Sequence, residues 1–404
     1  MNRLLLVSSA ILLSVAFSTP FARSAEASPL GPSLPGSIIE GNNAFAVQLY
    51  RELADRKGNL FFSPYSISSA LGMTYAGARE NTAREIKKAL HFQLGQAELH
   101  PAFKSLNREL VASAREAGEK LNIANGLVLT RGNVSDEFKT ILKDNYGAEI
   151  FAGGLDTING WVKQKTEGKI GRILEQLDRN SVCVILNAVY FKGIWESQFQ
   201  KRSTYDAPFS VSAGEQVTVS FMHQESDFKI LTEKDFEAVS IPYKGNSLSM
   251  VILLPQTIDG LSLLEKQLTT RSLKEWLEKL HEKPVQEVDL YLPKFKLETG
   301  YDLVSPFDKM GIKDAFSREK ADFRGMGGLK GDIWISQIKH KAFVEVNEEG
   351  TEAAASTAVE IRAMSAGPHP VFLFRADHPF LFIIRDNQSN TILFMGRMVN
   401  PSNK

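Results

Sequence analysis

One cysteine in 404 residues, Cys183, excludes any intrachain disulfide, so a chain of this size must be held by its core alone. Cys183 lies in SVCVILNAVYF, an apolar, β-rich run where a buried and inert thiol is expected. Neither sign of charge is in excess, since 47 Lys and Arg balance 47 Asp and Glu. No global field therefore favours nucleic acid or an anionic membrane, and no long basic run supplies a local one. Metal-ligand spacing is missing among the seven histidines. The chain has no Gly-x-Ser-x-Gly elbow, no His-Glu-x-x-His pair and no Walker phosphate loop. GMGGLKG at 325–331 misses the spacing of a dinucleotide fingerprint. Neither cofactor nor metal is expected, no residue is assigned a catalytic role, and His340 in ISQIKHKAFVEV reads as a hydrogen-bonded sheet histidine.

Long apolar runs are scarce too. After Arg3 an uncharged stretch, Leu4 to Phe17, leads to small residues at Ala22-Arg23-Ser24 or Ala25-Glu26-Ala27. That is the layout of a secretory signal peptide, too short to span a bilayer. Residues 1–27 are expected to be a cleaved leader and 28–41, rich in Pro, Gly and Ser, a loose connection. The protein is expected to be secreted, extracellular or, in a Gram-negative host, periplasmic, with no membrane partner.

What is present is a large core, with 43% of residues hydrophobic. Phe45, Leu49 and Leu53 lie at steps of four, a first amphipathic helix. Ser63 is a natural N-cap with Pro64 behind it, and the helix that follows is small or apolar all round, as for central burial. Asn81, Thr82 and Glu85 open or extend another helix, and 97–118 and 156–167 read as two more. From about residue 181 strands dominate: SVCVILNAVYF, LSMVILLP and the alternating VDLYLPKFKLE. PFLFIIRDNQSNTILFMG reads as a hairpin turning at Asp386–Asn390. Helices first and strands later, with no repeat and no linker, give a single α+β domain.

The stretch VEVNEEGTEAAASTAVEIRAMSAGPHP, residues 344–370, keeps a pattern without bulky side chains. At period two, Thr351, Ala353, Ala355, Thr357, Val359 and Ile361 form an uncharged row, and the alternate row carries every charge. At helical period, Glu349, Glu352, Ser356 and Glu360 share a face. A flexible connector of small residues is the third reading, and on these residues alone strand, helix and linker all stand.

In order along the chain come NLFFSPYSISSAL, INGWVKQKTEGKI, LNAVYFKGIWE, IPYKGNSLSMVILLP and LPKFKLETGYDL. ADFRGMGGLKGDIWISQIKHKAFVEVNEEGTEAAA, FRADHPFLFII and LFMGRMVNP follow. Together these resemble a serpin over roughly residues 42–401. The resemblance implies three β-sheets, about nine helices and an exposed reactive-centre loop at about 348–371. It implies a monomeric inhibitor of serine, and in some members cysteine, endopeptidases. In that family a target protease attacks the loop and forms an acyl-enzyme. The freed segment then enters the main sheet as a new strand, carrying the protease with it. The period-two row is what such a strand needs. On the same basis Glu348, Gly350, Thr351, Ala353, Ala354 and Ala355 are the hinge.

Counting along the loop as inhibitory members do places the scissile bond at Met364–Ser365, with Arg362–Ala363 the competing bond. Methionine suits elastase-like, chymotrypsin-like or subtilisin-like proteases, whereas Arg362 would attract trypsin-like ones. Ser63, Ser66, Asn187 and His340 match the polar shutter beneath the main sheet. Trp195, Lys294 and Glu348 match the breach at its top, with an exposed Lys294–Glu348 ion pair expected. The alternative within the family is a non-inhibitory carrier or binding protein. Such members carry bulky, charged or proline residues in the hinge, which Ala353–Ala358 do not. Pro368 and Pro370 make the far end of the loop longer than the family pattern, and 97–118 carries no clustered basic row for activation by heparin.

Overall fold

The computed structural model describes residues 34–116, 118–130, 134–177, 181–351 and 371–402. The first part of the chain is mainly helical: α1 (Leu34–Ala54), β1 (Leu60–Phe62), α2 (Pro64–Gly77), α3 (Glu80–Ala89) and α4 (Gln96–Glu116). Next come β2 (Lys120–Leu129), α5 (Asp136–Tyr146), β3 (Glu149–Phe151), α6 (Leu155–Lys165) and β4 (Cys183–Ile194). A strand-rich region holds β5 (Tyr205–Ser212), β6 (Glu215–Thr232), β7 (Phe236–Pro242) and β8 (Leu248–Pro255). Then follow α7 (Leu261–Gln267), α8 (Thr270–Glu282), β9 (Val285–Pro293), β10 (Phe295–Asp302) and α9 (Val304–Lys309). The chain closes with β11 (Ile335–Asn347), β12 (Gly350–Thr351), β13 (Phe372–Arg375), β14 (Phe380–Asp386) and β15 (Ile392–Met398).

Helix α1 begins inside the stretch 28–41 that sequence composition assigns to a loose leader. The reason is apolar anchoring: Ile38 is buried and Ile39 packs against the same core, so the segment from Leu34 docks. Helix α2 follows its sequence signals. The Ser63 hydroxyl accepts a hydrogen bond from the Ser66 amide, Pro64 takes the first helical position, and every residue of the helix is buried.

Six strands form one sheet in the order β10-β11-β12-β4-β2-β3. The nine-stranded sheet runs β1-β15-β14-β8-β7-β6-β9-β13, with β5 also on β6. Long β6 joins two sections of it, because its start pairs with β5 and β9 and its end with β7. The three sheets implied by the family resemblance are thus present, two of them continuous through β6.

Alternation along β4 explains its near-continuous apolar run. Cys183, Ile185, Val189 and Phe191 face the main core, on the side of α2. Val184, Leu186, Ala188 and Tyr190 face a second cluster made with Ile158, Trp161 and Val162 of α6. A strand covered on both sides has no polar row. Burial pushes the Cys183 thiol up to about 12, so it is inert.

Candidate functional site

The six-stranded sheet has a seam. Strands β4 and β11 are parallel neighbours from Cys183 opposite Ile335 up to Tyr190 opposite Phe343. Above that point β12 lies between them, antiparallel to both. Thr351 sits opposite Gly193 on one side and Val346 on the other, and Gly350 sits opposite Ile194 and Asn347. Two residues of a potential central strand are therefore already in place, above a seam closed by parallel pairing. The entry is narrow. A Cβ on Gly350 would meet the Gly193 carbonyl oxygen at 2.1 Å, and one on Gly193 would meet the Tyr243 ring at 2.6 Å. Glycine at both positions lets the chain turn in.

Around the entry, Glu348 and Glu349 are bound by backbone and side chain together. The Trp195 amide donates to the Glu349 carbonyl and the Phe199 amide to that of Glu348, both at 2.9 Å. The Trp195 indole N–H donates to the Asn347 carbonyl at 2.9 Å, and its ring stacks on Tyr243 at 4.6 Å. The Tyr243 hydroxyl in turn meets Thr351 Oγ1 at 2.7 Å. Lys294 Nζ donates to both Glu348 oxygens, at 2.9 and 2.8 Å, and Thr204 donates to Oε1 at 2.9 Å. Lys201 pairs with Glu349 at 3.1 Å.

The Lys294–Glu348 pair expected from sequence is present, but it is not exposed. The Glu348 side chain is only 7% accessible while Lys294 is 38%. The backbone bonds to Trp195 and Phe199 draw the acid down into the sheet. Burial alone would raise the Glu348 carboxyl, yet the bonds from Lys294 and Thr204 outweigh it and hold the group below its usual range. Its contribution to stability is therefore present at neutral pH and is lost as pH falls through the acid range. Lys294→Met removes the cation and leaves this buried carboxylate with only the Thr204 hydroxyl and its own backbone amide as donors. The expected cost is about 1–3 kcal/mol, read as a lower thermal transition together with faster spontaneous loss of the native state.

Lower on the seam, polar groups bridge five elements, α2, β2, β4, β11 and β15. His340 and Asn187 are directly opposed on β11 and β4, and Asn125 on β2 is directly opposed to Asn187. The Ser63 amide donates to His340 Nε2 at 3.2 Å, which makes Nδ1 the protonated nitrogen. Nδ1 then donates to Asn187 Oδ1 at 2.6 Å. Asn187 Nδ2 donates to Ser66 Oγ at 2.6 Å and to Asn125 Oδ1 at 2.8 Å. Asn125 donates to Ser69 Oγ at 3.1 Å, and Ser63 Oγ to the Leu393 carbonyl at 2.6 Å. All four expected shutter residues meet here. Asn125 and Ser69, which the sequence reading missed, complete the chain, as Tyr243 and Thr204 do at the entry.

Burial holds the His340 imidazole down to about 3, so it is neutral. The unfolded chain takes up a proton near pH 6.5 that the folded protein refuses. Stability is thus complete above about 6.5 and falls as pH drops toward 3. His100, held down to about 4, adds a similar contribution. His340→Gln should remove about one proton's worth of slope between pH 6.5 and 4.5, about 1.4 kcal/mol per pH unit. Denaturant unfolding across that range measures it.

Ala353, Ala354, Ala355, Arg362, Ala363, Met364 and Ser365 lie outside the described residues. So do residues 1–33, which include all of the signal peptide expected over 1–27.

The serpin (serine protease inhibitor) family model matches residues 40–401. Leukocyte elastase inhibitors of Equus caballus and Homo sapiens are each 42% identical to this chain, over 90% of it and 99% of their own length. Among solved structures, the thermophilic serpin tengpin superposes with a TM-score of 0.81 at 32% identity, covering 90% of this chain and 94% of its own. Serpin48 of Tenebrio molitor gives 0.80, also at 32% identity, over 92% of this chain and 99% of its own. These relatives overturn one expectation. Leukocyte elastase inhibitors and serpin B proteins are intracellular serpins, so secretion behind a signal peptide over residues 1–27 is not supported. With the family model spanning most of its length and relatives above 40% identity, the chain belongs to the serpin (serine protease inhibitor) family.

Proposed function

We propose that this chain is a suicide-substrate inhibitor of serine endopeptidases. A protease attacks the bond Met364–Ser365 and is trapped as an acyl-enzyme when the freed segment enters the seam between β4 and β11. The observation that carries this reading is β12, two residues of the hinge already seated between those strands. The chain performs no catalytic turnover, since the bond broken is its own.

Continuing the observed register gives each residue of the segment a place. Ala353 falls opposite Phe191 and Val344, Ala355 opposite Val189 and Ala342, and Val359 opposite Ile185 and Ile338, all facing the main core. Thr357 falls opposite both Asn187 and His340. The new strand would part these two, and the Thr357 hydroxyl can accept from one and donate to the other. The alternate row would slide beneath α6, over Leu186, Ala188 and Tyr190. Only small side chains fit there, which accounts for Ala354, Ser356 and Ala358. Parallel pairing is replaced by two antiparallel ladders, the more stable arrangement per residue.

At ~3.3 Å per residue the segment from Thr351 to Met364 spans roughly 45 Å. Met364 would pass the Cys183 end of β4, so the attached protease is carried to the far edge of the sheet. Cleavage at Arg362–Ala363 ends the strand two residues earlier, and substrate behaviour is expected from it. The target is an elastase-like enzyme, by Met364 and by the names of the relatives, with chymotrypsin-like and subtilisin-like enzymes next.

Thermal unfolding before and after loop cleavage tests insertion. The cleaved protein should unfold at a much higher temperature than the intact one. Equal transitions would mean that the segment does not insert, as in a carrier.

A further inference from the structure

We propose that His223, Glu225 and Asp289 form a binding site for one divalent transition-metal ion, best matched by Zn2+, on the outer face of the β6–β9 ladder. The site lies apart from the hinge and the seam, and does not depend on protease trapping.

Strands β6 and β9 pair antiparallel without a break from Phe221 opposite Pro293 to Lys229 opposite Val285. Such a ladder holds side-chain origins in fixed places. Alternation puts His223 and Glu225 on one face of β6, with Glu225 directly opposite Asp289 and His223 directly opposite Tyr291. One ligand atom from each of His223, Glu225 and Asp289 lies within 4.8 Å of the others. His223 Nε2 is 2.5 Å from Asp289 Oδ1. The imidazole stacks on Tyr291, centroids 4.5 Å apart and planes 16° apart, which fixes the edge it presents. A tetrahedral ion with bonds of about 2.0–2.2 Å could be reached by small rotations from this arrangement.

Charge supplies a second, separate argument. Glu225 and Asp289 are like charges directly opposed across a ladder, an unfavourable pairing. The next rung on that face repeats it, with Asp227 opposite Glu287. Among the described residues no lysine or arginine forms an ion pair with Glu225 or Asp289. A dication between the two carboxylates removes that repulsion. The imidazole selects the kind of ion, because calcium and magnesium favour all-oxygen sites, whereas one nitrogen and two carboxylate oxygens suit zinc, with water in the fourth position.

The position gives the site a role. Across the other edge of β9, Asp289 faces Leu373 and Tyr291 faces Arg375, both on β13. The Arg375 guanidinium lies 5.0 Å over the Tyr291 ring. Strand β13 is the next strand in the chain after β12. A metal ion here would brace the ladder on which that strand rests.

Calorimetric titration of the full chain, freed of metal by chelator, with ZnCl2 tests this. One ion per chain is expected, and His223→Ala and Asp289→Asn should each weaken binding by at least about tenfold. His281→Ala should leave it unchanged. Zinc should also raise the thermal transition of the parent protein and not that of His223→Ala. If His223→Ala folds poorly, Glu225→Gln, at an exposed position, gives the same reading. No saturable uptake, binding unweakened in both His223→Ala and Glu225→Gln, or displacement of zinc by excess calcium would each overturn the assignment.

Discussion

Ala355→Glu is expected to convert the protein from an inhibitor into a substrate. In the extended register Ala355 faces the core between Val189 and Ala342, both fully buried. A carboxylate there has no basic partner and little room. Burying an unpaired charge costs several kcal/mol, even after relaxation. Trapping is a race between insertion and hydrolysis of the acyl-enzyme, and each 1.36 kcal/mol on the insertion barrier slows it about tenfold. A barrier raised by ~3 kcal/mol gives hydrolysis about a hundredfold advantage. Gel electrophoresis should then show complete cleavage and no stable complex. The stoichiometry of inhibition should rise from near one to many inhibitor molecules per protease. Glu360→Gln, on the alternate row, is the control and should trap as the parent does. An Ala355→Glu protein that traps at an undiminished rate would refute insertion with this face inward.

Met364→Arg is expected to exchange one class of target for another. An elastase-like primary pocket is apolar, and a guanidinium placed in it would be desolvated without a partner. At ~3 kcal/mol or more the rate of complex formation with leukocyte elastase should fall at least about a hundredfold. Inhibition of trypsin should rise by a comparable factor, because an acidic pocket pairs with the new side chain. The strand length is unchanged, so trapping itself persists and only the target changes. Were elastase inhibition to survive intact, the scissile bond would lie elsewhere, with Arg362–Ala363 the first place to look. Mass analysis of the released peptide distinguishes the two.

Much of the fold is legible because apolar spacing and capping are local. Helices expected over 97–118 and 156–167 occur as Gln96–Glu116 and Leu155–Lys165, and the C-terminal hairpin turns at its polar residues. Strand β2 escapes such reading. KLNIANGLVL is interrupted by Asn125 and Gly126, and both interruptions serve distant partners. Asn125 belongs to the network with Asn187, while a Cβ on Gly126 would meet the Trp161 ring at 3.0 Å. The residues that break the pattern are there for contacts that the local sequence does not contain.

The same reasoning applies at the entry to the seam. Thr351 and Tyr243 are 108 residues apart, and no spacing rule joins them. The Lys294–Glu348 pair is legible through family resemblance, but its burial follows from backbone bonds made by Trp195 and Phe199. The first helix is legible from Phe45, Leu49 and Leu53, but its start at Leu34 is hidden by composition. Pro, Gly and Ser around residues 28–37 suggest a loose leader, and the docking of Ile38 outweighs them.

The most direct measurement mixes purified protein with leukocyte elastase and follows the products by denaturing gel and intact mass. A complex that survives denaturation, accompanied by release of the Ser365–Lys404 peptide, is the predicted result. Complete cleavage at that bond without any complex, repeated with chymotrypsin and subtilisin, would contradict trapping by insertion between β4 and β11.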